Sequence, residues 1–169
     1  RNSVWLDQLR LQVYTDKLTG LYNTAFLKDT LRSFPGRAEG VATVLCFKPD
    51  RFKDINDTYG HEVGDYAIRE LARIFREAVS PLGHAVRYRG NEMVGLLPNH
   101  TLQTTLELAI ELHHQVHAID LTKMTHDPAV TLTASIGIAE SSTDNAAGDD
   151  LLQTAYRRMF DAREAGGDH

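Results

Sequence analysis

The ten residues Lys48-Pro49-Asp50-Arg51-Phe52-Lys53-Asp54-Ile55-Asn56-Asp57 set ammonium, guanidinium, carboxylate and carboxamide groups directly after the apolar run Val41-Ala42-Thr43-Val44-Leu45-Cys46-Phe47. Such a mixture suits contact with a charged ligand that also makes hydrogen bonds. A second constellation, Arg87-Tyr88-Arg89-Gly90-Asn91-Glu92-Met93, carries two guanidinium groups and one carboxylate around a Gly-Asn pair. Two other features invite chemistry and read as bland. His113 and His117 lie one helical turn apart, a spacing compatible with zinc, but no partner carboxylate motif shares their turn, so an edge position fits them better. Cys46, inside the apolar run, reads as a small buried residue and not as a nucleophile.

The elements that must position these groups alternate between helix and strand. With 169 residues, 42% of them hydrophobic, the chain suits one domain with a full-sized core. Arg1 to Tyr14 reads as an incoming helix with Val4, Trp5, Leu6, Leu9, Leu11 and Val13. Asn23 or Thr24 can cap a helix through about Ser33, ended by Pro35-Gly36. Val41 to Phe47 is a strand, and Glu62 to Val79 a helix with Val63, Tyr66, Ala67, Leu71, Ile74 and Phe75 along one side. His84–Arg89 and Glu92–Leu97 then form a hairpin about a two-residue Gly90-Asn91 turn that needs positive φ. Thr101 to Ile119 is a helix, Val130 to Glu140 a strand and Asp149 to Ala165 a last helix. The net charge of −5 argues against a nucleic-acid partner. A single cysteine excludes an internal disulfide and fits a reducing compartment, and a cytoplasmic location is expected. No apolar stretch approaches membrane-spanning length, so this segment is expected to make no direct membrane contact.

Four segments in order, Asp16-Lys17-Leu18-Thr19-Gly20-Leu21-Tyr22-Asn23, Phe52 to Asp65, Arg87 to Met93, and Ser135-Ile136-Gly137-Ile138-Ala139, resemble the GGDEF, or diguanylate cyclase, family. The resemblance runs from Asp16 to about Gly166. It implies an α/β (α+β) fold with a central five-stranded, mostly antiparallel sheet surrounded by helices, similar to nucleotide cyclases and polymerase palms. Residues 1–15 would be a signalling helix and 16–169 the domain, expected as part of a larger protein. Active members join two GTP molecules into cyclic di-GMP across a dimer. They use Mg²⁺ or Mn²⁺ held by an Asp after the first strand and the two acidic residues of the hairpin. Hard cations of this kind need oxygen ligands.

Here the resemblance departs from the family at the metal. The strand-end Asp falls on Lys48, and the backbone-carbonyl ligand after it on Pro49. The hairpin reads Arg89-Gly90-Asn91-Glu92-Met93, so Glu92 alone remains of the acidic set and a remnant is all it is expected to be. A dication about 4 Å from an ammonium is repelled by about 8 kcal/mol at an effective dielectric of about 20, an upper limit of which a quarter would still strip the metal. Lys48 and Glu92 on neighbouring strands are expected to pair where the metal would sit. Arg89, in place of a glycine that lets backbone approach the nucleotide, is expected to crowd the pocket or grip a phosphate. No metal or other cofactor is expected.

The nucleotide-binding half is retained. By the resemblance Asn56 and Asp65 contact guanine, Lys53 contacts phosphate, and Arg51 and Phe52 lie in the phosphate turn, while Arg163 replaces a phosphate-binding lysine. Gly167 stands where a second basic residue is usual, Ser80-Pro81-Leu82-Gly83 lacks the family's product-inhibition pair, and His61 reads as structural. Asn56 and Asp57 serve equally well as turn residues kept for folding. The expectation is a catalytically silent regulatory or dimerisation module, with an attached sensor or EAL domain and a homodimer as partners. The alternatives are a GTP-binding allosteric sensor, and a cyclase with altered metal use.

Overall fold

The first strand explains the architecture. In β1 (Ala42–Pro49), alternate residues belong to different clusters: Leu45 and Phe47 join one core, and Ala42, Val44 and Cys46 the other. A strand buried on both faces has to be covered on both, and it is. The computed structural model describes residues 2–35 and 40–169; Arg1 and Gly36, assigned from sequence to a helix start and a helix break, lie outside the described residues.

The remaining elements are α1 (Asn2–Tyr14), α2 (Thr24–Leu31), α3 (Phe52–Tyr59), α4 (His61–Val79), β2 (His84–Arg87), β3 (Met93–Pro98), α5 (Leu102–His117), α6 (Thr122–Thr125), β4 (Ala134–Glu140) and α7 (Gly148–Glu164). The sheet runs β2-β3-β1-β4, and each neighbouring pair of strands is antiparallel. Helices α4 and α5 cover one face and α2 and α7 the other. The mixed α/β class expected from sequence is the one observed. The sheet has four strands among the described residues, not five. Beside β2, Tyr22 makes only isolated bridges, to Thr15 and to Val86.

Local boundaries follow from local chemistry. Asn23 caps α2 by accepting from the Phe26 N–H, and Thr101 caps α5 in a reciprocal arrangement with Thr104. Helix α3 was not anticipated: its buried residues are only Phe52 and Ile55, too short an apolar signal in so polar a stretch. Likewise α6 was missed, and β4 starts at Ala134, four residues later than expected, because 130–133 make no ladder with β1. The hairpin also differs. Its connection is Arg89-Gly90-Asn91, closed by the Tyr88 N–H donating to the Glu92 carbonyl at 2.8 Å. Within it the Glu92 N–H donates to the Arg89 carbonyl at 2.8 Å, which puts Gly90-Asn91 at the centre of a tight turn; the expected positive φ is found at Gly90 (φ +54) and not at Asn91.

Two joints fasten the ends. After α1, the Asp16 carboxylate accepts from the Thr19 N–H and hydroxyl and from Arg87, whose Nε donates to the Gly90 carbonyl at 2.8 Å. Burial alone would raise the Asp16 carboxyl; the Thr19 and Arg87 hydrogen bonds outweigh it and hold it below the usual range. After α7, the backbone turns through Gly166 (φ +117), Gly167 (φ +77) and Asp168 (φ 57). The Asp168 N–H then donates to Asp50 at 2.9 Å, and the His169 carbonyl accepts from Ile136 at 2.7 Å. A Cβ on Gly167 would stand 2.6 Å from Asp50 Oδ2, so only glycine fits that approach.

Candidate active site

The β1–β3 register pairs Phe47 with Met93, so one step further along the antiparallel ladder Lys48 comes opposite Glu92. Lys48 Nζ stands 3.6 Å from Glu92 Oε1, and Arg89 Nε 3.7 Å from Glu92 Oε2. Glu92 is 8% exposed. Two cations thus flank one buried carboxylate at the corner where the resemblance puts a metal. The attraction of the Lys48 pair is about 5 kcal/mol gross at an effective dielectric of about 20, and desolvation offsets much of it.

This donor set does not fit a divalent cation. Ammonium and guanidinium groups are permanent donors without lone pairs to offer. Asn91 is half-buried and contributes no charge, and Pro49 is buried. Among the described residues, no group of three or more His, Cys, Asp or Glu side chains could hold a metal ion.

Sequence reasoning missed the group that completes the corner. The Tyr156 hydroxyl, from α7, donates to Glu92 Oε1 at 3.1 Å. The Arg89 side chain is 61% exposed, and its guanidinium lies 4.5 Å from the Tyr88 ring centroid and 5.3 Å from that of Tyr156. Cations held over tyrosine faces are attracted by the ring quadrupole. Burial, then the Glu92 charge and hydrogen bond, push the Tyr156 phenol above its ordinary value. Burial and the same charge raise the Cys46 thiol far out of the nucleophilic range, in keeping with a packing role. No local pattern in the sequence joins Tyr156 to a hairpin 64 residues earlier.

Of the guanine and phosphate candidates, Arg51, Phe52, Lys53 and Asn56 lie at or in α3, Asp65 in α4 and Arg163 in α7. Arg51, left-handed at φ 52, precedes that helix, and Phe52 starts it with its ring buried. Lys53 is exposed and Asn56 half-buried. Asn56 meets the start of α4: a Cβ on Gly64 would overlap Asn56 Oδ1 at 1.7 Å, so the carboxamide lies against the backbone next to exposed Asp65. Asn56 and Asp65 are thereby brought together. Arg163 is exposed in the last turn of α7. On the other side of α3, a cleft of about 390 Å³ is lined by Asp50, Arg51, Asp54, Thr58, Thr133 and Asp168, among others. Asp50 is fully engaged there, accepting from Thr133 and Ser135 hydroxyls at 2.7 Å each.

The histidine pair belongs to the C-terminal joint. His117 Nε2 lies 2.7 Å from Asp168 Oδ1, and His113 Nδ1 lies 3.6 Å from the same oxygen. Burial lowers the His113 value, with Asp168 opposing.

Residues 13–169 match the sequence profile of the family described as diguanylate cyclase, GGDEF domain. The chain is 30% identical over 155 residues to the response regulator PleD of Caulobacter vibrioides, spanning 90% of this chain and 34% of that protein. It is 30% identical over 162 residues to the probable diguanylate cyclase DgcC of Escherichia coli, spanning 93% and 43%. The chain therefore covers less than half the length of either relative. The coiled coil and GGDEF domain of DgcB from Caulobacter crescentus, solved in complex with c-di-GMP, superposes with a TM-score of 0.89 at 26% identity, covering 100% of this chain and 90% of that one. With the profile extending over nearly every residue, the chain belongs to the GGDEF domain family of diguanylate cyclases.

Proposed function

We propose that this is a catalytically silent GGDEF domain that regulates attached modules in cyclic-di-GMP signalling. The observation that carries the reading is Glu92 held between Lys48 and Arg89, at 3.6 and 3.7 Å, where phosphoryl transfer would need metal-bound carboxylates. Two GTP molecules bring several negative charges together; Lys48 and Arg89 supply positive charge here but, unlike a dication, offer no coordination positions to hold the reacting oxygens in line. Helix α1 supports a role in dimerisation and signal transfer, because Val4, Trp5, Leu6, Leu11 and Val13 are all more than half exposed along it. This reading puts the domain in the cytoplasm with an attached sensor or EAL domain, and it is compatible with the described helices, none of which is long and apolar enough to cross a membrane. Pure protein with GTP and Mg²⁺ or Mn²⁺ is expected to form no cyclic di-GMP. Steady product formation that Glu92→Ala abolishes would overturn the reading.

A second reading, passive GTP binding that tunes a neighbouring module, is favoured by the Asn56–Gly64 packing beside Asp65. Lys53, Arg51, Phe52 and Arg163 would meet the phosphates and Asn56 and Asp65 the guanine edge. Calorimetry is expected to give the same affinity with Mg²⁺ and with a chelator; no heat up to millimolar GTP would exclude GTP as the ligand.

A further inference from the structure

We infer that Tyr156 is a positioning residue that holds Glu92 in its metal-free arrangement, so that the corner is kept silent from α7 as well as from Lys48 and Arg89. The inference rests on the reading of the domain as catalytically silent and deepens it.

Of the three groups that touch the Glu92 carboxylate, only the Tyr156 hydroxyl is within hydrogen-bond distance, at 3.1 Å to Oε1. Lys48 and Arg89 stand at 3.6 and 3.7 Å, and Oε2 has no hydrogen-bond partner among the described residues. The cations supply charge, which acts at any angle. The phenol supplies direction, because a hydrogen bond weakens steeply off its axis. It takes Oε1, the oxygen on the Lys48 side, and a cation shared between position 48 and Glu92 would need that oxygen.

The phenol has little freedom to withdraw. Its helix is seated on Gly137 of β4, where a Cβ would come 2.0 Å from the Ala155 carbonyl oxygen and 2.2 Å from the Met159 nitrogen. These residues flank Tyr156 on α7, so helix and sheet already touch at backbone distance. The Tyr156 ring also forms one wall of the slot that receives Arg89. One side chain therefore contacts both the carboxylate and one of its two cations.

A phenolic proton and a dication draw on the same oxygen's electron density. Restoring the family's ligand types alone would leave that competition in place. Where such a group orients a metal ligand, its loss weakens metal binding by about 10- to 100-fold. Here the phenol instead occupies the oxygen a cation would need, so its loss is expected to act in the opposite direction and on the order of the lower figure.

The test is Mn²⁺ binding followed by electron paramagnetic resonance, which needs no turnover. The triple variant Lys48→Asp, Arg89→Gly, Asn91→Asp is compared with the same variant carrying Tyr156→Phe, and circular dichroism confirms that both are folded. The added Tyr156→Phe is expected to tighten Mn²⁺ at least about tenfold. In the otherwise unchanged chain, Tyr156→Phe is expected to produce no Mn²⁺ binding, because Lys48 remains. Equal or weaker affinity on adding Tyr156→Phe would overturn the inference, whereas Mn²⁺ binding by Tyr156→Phe alone would support the role of Tyr156 and overturn the part assigned to Lys48. Cyclic-di-GMP formation by the unmodified chain is a separate result, and it would overturn the silent reading itself.

Discussion

Glu92 owes its present behaviour to its neighbours and not to its own chemistry. The same carboxylate that could ligate a cation becomes an acceptor for a phenol and a counter-ion for Lys48 and Arg89. Two other residues allow sharper expectations at this scale. Gly167 has φ +77 with Asp50 at its face, so Gly167→Ala should lower stability by about 1–3 kcal/mol, read from the denaturation midpoint. Glu140 accepts from the hydroxyls of Thr143 and Ser142 and from the Leu102 N–H; the Thr143 bond first, then the others, hold its value at about 2, against 4.5 for a free carboxyl. A depressed folded value means the stabilisation is present above about 4.5 and is lost as pH falls towards 2. Stability measured across that range should flatten in Glu140→Gln. Residue identity carried much of this corner openly: Lys48, Arg89 and Asn91 are legible as departures from a metal-binding pattern. Tyr156 is not, because its proximity depends on how α7 lies across the sheet.

Elements differ in how plainly they announce themselves. Helices α4, α5 and α7 carry long apolar stripes, so periodicity finds them to within a few residues. Helix α3 buries only Phe52 and Ile55, and its polar residues are explained by what they face rather than by a helical repeat. The strand count depends on pairing between distant segments, which no window of sequence contains. Packing of α7 on β4 is open to disruption by a single change. Gly137→Ala would drive a methyl into the Ala155 carbonyl, and a loss of about 3 kcal/mol is expected in chemical unfolding. At the α3–α4 crossing, Gly64→Ala should displace the Asn56 carboxamide. If the domain binds GTP, calorimetric affinity should fall by about tenfold or more, since a buried polar contact is worth about 1.5 kcal/mol.

At the scale of the molecule, the sheet separates two jobs. Its α4–α5 face supplies most of the large buried side chains, while its α7 face carries Cys46, Val94 and the rebuilt corner at one end. Lys48, Arg89 and Asn91 lie at the rim and in neither core cluster, so their identities bear little on the fold. The C-terminal joint has a further consequence. Asp50 receives N–H and O–H groups from Asp168, Thr133 and Ser135, so the last turn of the chain and the turn before α3 share one acceptor. Segments that share an acceptor open together. The amide hydrogens of Asp50 and Asp168, 118 positions apart, should therefore exchange with solvent at matched rates, as members of one cooperative unit.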